Sequence, residues 1–244
     1  MVYENIKFVY NEPAMIVNAE GKEHLVIADL HIGMELGLSR KGVHLFGASE
    51  HMAERINAIM KDFSLDSIIM LGDIKESILY PEAAETRLLK QFFKELEGFK
   101  IKIVAGNHDA HLEEIIERGV EKELVIGNFG FMHGNRKLDE RFMLLDYIVS
   151  AHEHLAVRIK ERNGALYDYK AWAVYGLNKS AAKTAYKNFN ENVKLVSMPA
   201  FNELIHGRAI EKGMKGMNPM LTNKIFSSRK LEVYSLLGQR IGLG

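Results

Sequence analysis

Five short segments of this chain carry side chains suited to holding divalent cations: Asp29-Leu30-His31, Gly72-Asp73, Gly106-Asn107-His108-Asp109, His133-Gly134-Asn135 and His152-Glu153-His154. Imidazoles, carboxylates and an amide oxygen make a mixed donor set. Such a set favours Mn²⁺, Fe, Zn²⁺ or Ni²⁺ over Ca²⁺, which prefers oxygen alone. The chain has no cysteine, so thiolate ligation and disulfides are both excluded. Side chains at i and i+2 of an extended segment point the same way, so Asp29 with His31, and His152 with His154, read as chelating pairs. One carboxylate can bridge two cations, and Asp73 is the candidate for that role. Taken singly, each piece has a bland reading: Asp-x-His arises by chance, and Gly106-Asn107 is a common turn signal. The order of all five carries the inference.

Two divalent cations roughly 3.5 to 4 Å apart bind a phosphoryl oxygen, lower the pKa of a bridging water and offset charge in an in-line displacement. Hydrolysis of this kind needs no nucleophilic side chain. A proton donor near the leaving oxygen still helps, and His108 is placed to supply it. Asp109, next in sequence, is expected to orient that imidazole and keep it protonated.

Residues so far apart must be brought together by a sheet. Apolar runs at 24–28, 67–71 and 101–105 read as buried strands. Between them Ala48, Met52, Ile56, Ile59, Met60 and Phe63 recur at helical spacing, as do Leu88, Leu89, Phe92, Phe93 and Leu96 after Pro81. After about residue 120 the strands are short and closely spaced: 124–126, 129–133, 148–151, 156–160 and 171–175. A helix over 180–189 follows, then strands over 193–198 and 231–236, with a polar loop over 207–223. Parallel strands first and mixed strands later predict an α/β protein, a four-layer α/β/β/α sandwich with two mixed sheets. Each donor segment then falls where a strand ends, the edge at which open α/β sheets place their ligands.

The 244 residues are expected to form one domain, 1–244, with ordinary hydrophobic and charged fractions of 47% and 26%. Net charge is zero, yet residues 1–154 carry 17 Lys+Arg against 26 Asp+Glu while 155–244 carry 15 against 6. An acidic part suits cations, and a basic part folded beside it suits a phosphate backbone. Lys179, Lys183 and Lys187, at helical spacing, also fit a plain solvated face. The first 16 residues lack the apolar stretch of a signal peptide, and no run approaches a membrane span, so a cytoplasmic location and no membrane partner are expected.

In order, Asp29-x-His31, Gly72-Asp73, Gly106-Asn107-His108-Asp109, His133 and His152-x-His154 resemble the signature of the calcineurin-like metallophosphoesterases. The resemblance implies the metallophosphoesterase fold and two divalent ions, Mn²⁺ first, with Fe, Zn²⁺ or Ni²⁺ as alternatives. It implies one ion on Asp29, His31 and His154, a second on Asn107, His133 and His152, and Asp73 between them, with His108 on the phosphate or acting as general acid. The chain departs from the family at Ala151, where Gly is common, and at Lys75, Glu76 and Ser77, where Asp or His is often found. Ala28-Asp29-Leu30-His31-Ile32-Gly33 with Glu35, Arg40, Lys41 and Gly42, and Pro199-Ala200-Phe201-Asn202-Glu203-Leu204, look like a prokaryotic subfamily that includes DNA-repair endonucleases linked to ligase and helicase genes. That finer likeness implies a phosphodiester substrate such as single-stranded or damaged DNA, and a helicase or ligase partner. It places Arg40 or His44 near the scissile phosphate. Asn202 and His206 are further candidates, whereas His24, His51 and His111 read as structural or exposed.

The expected activity is two-metal hydrolysis of a phosphoester, with a phosphodiester in nucleic acid or a nucleotide preferred. A phosphomonoesterase acting on a small metabolite is the closest alternative, and a non-catalytic binding subunit the next. The native metal, the substrate, the oligomeric state (a homodimer included) and the role of the 207–223 loop are left open by the sequence.

Overall fold

In the computed structural model, which describes residues 2–210 and 216–242, the first sheet is built from six strands in chain order. They are β1 (Val2–Tyr3), β2 (Ile6–Phe8), β3 (Met15–Ala19), β4 (Lys22–Ala28), β5 (Ser67–Leu71) and β6 (Lys100–Val104). β1 to β4 form an antiparallel meander, and β4, β5 and β6 run parallel. The parallel crossovers are helical, with α1 (Met34–Arg40) and α2 (Ala48–Asp62) before β5 and α3 (Ala83–Glu95) before β6. All five residues of β5 are buried, the apolar run Ile68 to Leu71 suiting a parallel strand covered on both faces.

After α4 (Leu112–Ile116) the chain lays down a second, mixed sheet. Its strands are β7 (Leu124–Ile126), β8 (Phe129–Phe131), β9 (Tyr147–Ser150), β10 (Leu155–Lys160), β11 (Leu166–Leu177), β12 (Lys194–Ser197), β13 (Arg208–Ala209), β14 (Phe226–Ser235) and β15 (Arg240–Ile241). Helices α5 (Lys179–Ala185) and α6 (Pro219–Thr222) cover its outer face.

The period of two in each strand divides the side chains between layers. Leu25 and Ile27 of β4 and Ile68 and Met70 of β5 pack outward on Met52, Ile56 and Met60 of α2 and on Leu89, Phe92 and Phe93 of α3. Val26, Ala28, Ile69 and Leu71 turn inward against Phe131, Val149, Trp172, Val174 and Val196 of the second sheet. On its far face Ile148, Tyr175 and Leu195 pack with Ala182 of α5 and Met220 of α6. The protein is an α/β/β/α sandwich of two mixed sheets, as the strand pattern predicts. Truncating a side chain such as the buried Phe92 to Ala would cost about 3–5 kcal/mol.

Register sets the site. Ala28 pairs with Leu71 and Leu71 with Val104, so the three parallel strands end level. In the second sheet Phe131 pairs with Val149 and Val149 with Val196. Both sheets therefore release their chains at a common edge.

Some elements differ from expectation. β1 to β3 were not anticipated, because polar residues at positive φ, Asn5 and Asn11, turn that stretch every few residues. β11 begins at Leu166 rather than 171, and its added residues pair only with β10 and are largely exposed, so no core pattern marks them. The 207–223 loop holds β13 and α6; its residues 211–215 lie outside the described residues.

Candidate metal centre

Asp29, Asp73 and the segment Gly106 to Asp109 follow β4, β5 and β6, while His133 follows β8 and His152 to His154 follow β9. The sheets bring the carboxylates and four of the imidazoles into two donor groups that share one residue. Asp29, His31, Asp73 and His154 make one, and Asp73, His133 and His152 the other, with donor atoms in each group within 4.8 Å of one another. Asp29 and Asp73 are 0% and 2% exposed, and His31 and His133 4% and 1%.

The chelating pairs do not converge by the extended pleat expected of them. Asp29 (φ 53°), His31 (φ 42°), Asp73 (φ 47°), His152 (φ 73°) and His154 (φ 45°) are all left-handed. This conformation is uncommon outside glycine, costs on the order of 1–3 kcal/mol per residue and persists only where the surroundings enforce it. The enforcing contacts are backbone bonds from one donor loop to the next. His31 N–H donates to the Asp73 carbonyl (2.9 Å), Asp29 N–H to the Gly72 carbonyl (3.2 Å) and Ala151 N–H to the His133 carbonyl (2.8 Å).

Two glycines make the approach possible. A Cβ on Gly106 would lie 2.1 Å from Asp73 Oδ1, and one on Gly72, itself at φ +70°, would lie 2.1 Å from His133 Nδ1. Neither position has room for a side chain.

The donor atoms fit cations. His31 Nε2 stands 3.7 Å from Asp73 Oδ2, His133 Nδ1 3.7 Å from Asp29 Oδ1, and His154 Nε2 3.5 Å from Asp29 Oδ1. Asp29 Oδ1, His31 Nε2, His133 Nδ1 and His154 Nε2 are buried and make no hydrogen bond. Unpartnered buried polar atoms are costly, so these four, each facing a donor atom of a neighbouring residue at 3.5–3.7 Å, call for partners other than the protein. Two donors each ~2.1 Å from one cation at a tetrahedral angle stand about 3.4 Å apart, close to these separations. Asp73 also accepts the His108 backbone N–H (2.9 Å) and faces His133 Nε2 at 3.2 Å.

Charge follows the same geometry. Burial would raise the Asp73 carboxyl, but the hydrogen bond and charge of His133 and the His108 N–H hold it well below the usual range. Burial would lower His31 and His133, yet Glu76 with Asp29 and Asp73 raises the first, and Asp73 with Asp29 raises the second. His152 is lowered by burial and by neighbouring His133.

Asp109 does not orient His108. Its carboxylate is buried and accepts the backbone N–H groups of Ile74 (2.8 Å), Lys75 (3.3 Å) and Gly106 (2.8 Å), fixing the loops on either side of Asp73. Buried backbone donors in tight loops need an acceptor, and a carboxylate meets several at once. The His108 ring is instead held by the Glu76 carbonyl, 2.5 Å from Nδ1, and lies 4.8 Å from the His31 ring. Asn107 sits between these residues with its side chain exposed.

Arg40 and His44 lie outside the donor groups. Arg40, at the end of α1, pairs with Glu82 at 2.5 Å, and His44 meets Ser39 Oγ at 3.0 Å in an exposed loop. Asn202 is buried and donates to the Leu30 carbonyl (2.8 Å), buttressing the Asp29–His31 loop, while His206 is exposed. His24 is buried on Ser67, and His51 and His111 are surface residues beside Glu54 and Glu114. Two contributors escaped the sequence reading. Glu76 Oε2 lies 2.8 Å from His31 Nδ1, and Lys170 Nζ donates to the carbonyls of Ala200 and Asn202. Glu76, three residues beyond Asp73, carried a signal only as a departure from the family pattern.

No family model and no curated protein matches the chain. Among solved structures it is similar to the Pseudomonas putida nuclease MPE, with TM-score 0.57 and 16% identity over 92% of this chain and 97% of that one. It is also similar to Yfce, a phosphoesterase from E. coli (TM-score 0.35, 14% identity, 59% of this chain and 76% of that one). A third is a metallophosphoesterase from Sphaerobacter thermophilus (TM-score 0.35, 12% identity, 91% and 89%). At such identity the first likeness shows a shared fold.

Proposed function

We propose that this chain hydrolyses phosphoesters with two divalent cations, Mn²⁺ first, and that its substrate is a phosphodiester in nucleic acid or a nucleotide. The observation that carries the reading is the pair of donor groups sharing Asp73, four of whose buried atoms have no protein partner. A fold shared with a nuclease adds to it.

Asp29, His31 and His154 would hold one ion, and His133 and His152, with the Asn107 amide, the other, with Asp73 common to both. When bound, divalent cations supply Lewis acidity to a phosphoryl oxygen and acidify water. The remaining work belongs to the chain. The left-handed loops hold the donors in place before substrate arrives, which limits reorganisation during the reaction. His108, with Nδ1–H given to the Glu76 carbonyl, would contact phosphate or protonate the leaving oxygen through Nε2 when the ring is the doubly protonated imidazolium. Asp109 acts one step removed, by fixing the Asp73 and Gly106 loops.

The diester preference draws on the basic second part of the chain, +9 over residues 155–244. Single-stranded or damaged DNA as substrate and a repair helicase or ligase as partner follow from the subfamily resemblance and belong to the same proposal.

The test is Mn²⁺-dependent turnover of bis-p-nitrophenyl phosphate and p-nitrophenyl phosphate side by side, with a single-stranded DNA lane and a His108→Ala control. Cleavage of the diester and of DNA, lost in the control, is expected. Monoester turnover alone moves the assignment to a metabolite phosphatase. No turnover with Mn²⁺, Fe²⁺, Zn²⁺ or Ni²⁺ leaves a binding subunit.

A further inference from the structure

Glu76 is not one of the residues that face both Asp29 and Asp73, yet it touches two of the imidazoles at once. Its carboxylate Oε2 lies 2.8 Å from His31 Nδ1, and its own carbonyl lies 2.5 Å from His108 Nδ1. An acceptor on Nδ1 requires the proton there, which leaves Nε2 with its lone pair in a neutral ring. For His31 that second nitrogen is the buried, unpartnered atom facing Asp73 Oδ2 at 3.7 Å.

The segment bearing Glu76 is tightly built. Ile32 N–H donates to the Ile74 carbonyl (2.8 Å) and Glu76 N–H to the Ile32 carbonyl (3.0 Å), so residues 74–76 run as a short parallel extension beside the His31 loop. Buried Glu85 Oε1 accepts the N–H groups of Glu76 (3.0 Å) and Ser77 (2.9 Å). A Cβ on Gly33 would lie 2.7 Å from Glu85 Cγ, so that glycine makes room for the clamp. From below, Lys75, wholly buried, donates Nζ to the carbonyls of Ser77 and Leu79 (2.8 Å to the latter). The main chain at Glu76 is therefore held in place, which sets its carbonyl against His108 and starts its side chain beside His31.

We propose that Glu76 is a positioning residue for the metal centre, whose carboxylate fixes the Nδ1–H tautomer of His31 and whose carbonyl fixes that of His108. Its carboxylate with His31 and His108 could be taken for a third cation site, since their donor atoms lie within 4.8 Å. The 2.8 Å contact argues otherwise, because His31 Nδ1 cannot give a proton to Glu76 and a lone pair to an ion. Carboxylates that accept from a ligating imidazole orient the ring and raise its basicity, and their loss typically lowers metal affinity about 10–100-fold. The inference rests on the reading of His31 as a metal ligand.

The experiment uses the full chain with Glu76→Ala and Glu76→Gln. In metal-free protein, at a pH where the rings are neutral, long-range ¹⁵N–¹H correlation reports which nitrogen of each histidine carries the proton. Wild type is expected to have Nδ1–H at His31 and at His108. Glu76→Ala is expected to release His31 to a mixture of tautomers while His108, held by a backbone carbonyl, stays unchanged. Glu76→Gln, whose amide oxygen can still accept, should restore the His31 tautomer. In parallel, Mn²⁺ titration calorimetry should give affinity reduced about 10–100-fold in Glu76→Ala, with partial recovery in Glu76→Gln and an unchanged number of ions per chain. An unaltered His31 tautomer in Glu76→Ala overturns the proposal, as does the loss of one whole ion per chain, which would make Glu76 a ligand. The tautomer is read without metal or substrate, so failure of the phosphoesterase assay leaves this test standing.

Discussion

Gly106 lies so close against Asp73 that any Cβ at position 106 would stand 2.1 Å from the Asp73 Oδ1 atom. The loop after β6 thus closes on the carboxylate common to both donor groups. Gly106→Ala is expected to push Asp73 aside and reduce Mn²⁺ affinity at both positions at least tenfold by titration calorimetry. Gly119→Ala, where a new Cβ meets nothing within 4 Å, is the control and should bind as wild type. Equal affinities in the two variants would remove Gly106 from the argument.

Asp109→Asn tests the bracket of backbone donors. The carboxylate accepts three N–H groups, two on one oxygen and one on the other, and an amide keeps one oxygen and turns its NH₂ toward at least one of these donors. Leaving a buried donor unsatisfied costs about 1–3 kcal/mol, so thermal denaturation should show a clear drop in Tm. If Asp109 instead acted through the His108 ring, the pH profile of turnover would change and Tm would not.

Protons and cations compete for the same nitrogens. Despite burial, which opposes it, His31 and His133 carry raised pKa values because Glu76, Asp73 and Asp29 face them. Below those values a cation must displace a proton from each ring, so Mn²⁺ affinity should climb as pH rises through and above the ordinary imidazole range, with protons released on binding. Stability of the metal-free protein runs the other way. The raised groups contribute fully below the unfolded value of about 6.5, and that contribution is lost as pH rises through the folded values. Calorimetry in buffers of different ionisation enthalpy measures the proton release; a pH-independent affinity between about 6 and 8 would contradict the assignment.

Lys170 tests the support beneath the Asp29–His31 loop. It is partly buried and its Nζ donates to the Ala200 carbonyl at 2.7 Å and the Asn202 carbonyl at 2.5 Å, while Asn202 in turn holds Leu30. Burial, with Arg55 nearby, lowers its pKa to about 8. The folded state gives up the proton near pH 8 while the unfolded chain keeps it to about 10.4, so stability from this group rises with pH across that window. Lys170→Met should lose the dependence and leave two carbonyls without a donor, and chemical denaturation at about pH 7.5 and about pH 9.5 compares the slopes. Parallel slopes in the two proteins would refute it.

Much of the fold was legible because burial writes a pattern. Ser67–Leu71 and Leu124–Ile126 are strands at the bounds the apolar runs set, and α2 follows its stripe from Ala48 to Asp62. Exposed Tyr167 and Tyr169 extend β11 without such a pattern, and the turns at Asn5 and Asn11 break up the first meander. The candidate donors could be chosen by type and order, and the sheets bring Asp29, His31, Asp73, His133, His152 and His154 together. What side chains do through the backbone was not legible. Neighbouring sequence made Asp109 look like a partner of His108, whereas folding turns it toward three N–H groups. Glu76 reaches His31 across 45 positions because residues 74–76 pair with the loop after β4, a contact set by tertiary register.

The left-handed backbone at Asp29, His31, Asp73, His152 and His154 narrows which descendants of this sequence can keep the site. Asp, Asn and His are the non-glycine residues most often found in that conformation. Metal chemistry would accept a glutamate at position 29 or 73 as readily as an aspartate, since either offers a carboxylate oxygen. The main chain would take it at a higher cost, because the longer side chain lacks the local hydrogen bonding that eases an aspartate into this shape, although Glu20 and Glu117 adopt it elsewhere in the chain. Donor identity and backbone shape therefore constrain each other, and the left-handed backbone favours Asp, Asn, His or Gly over longer side chains at these five positions.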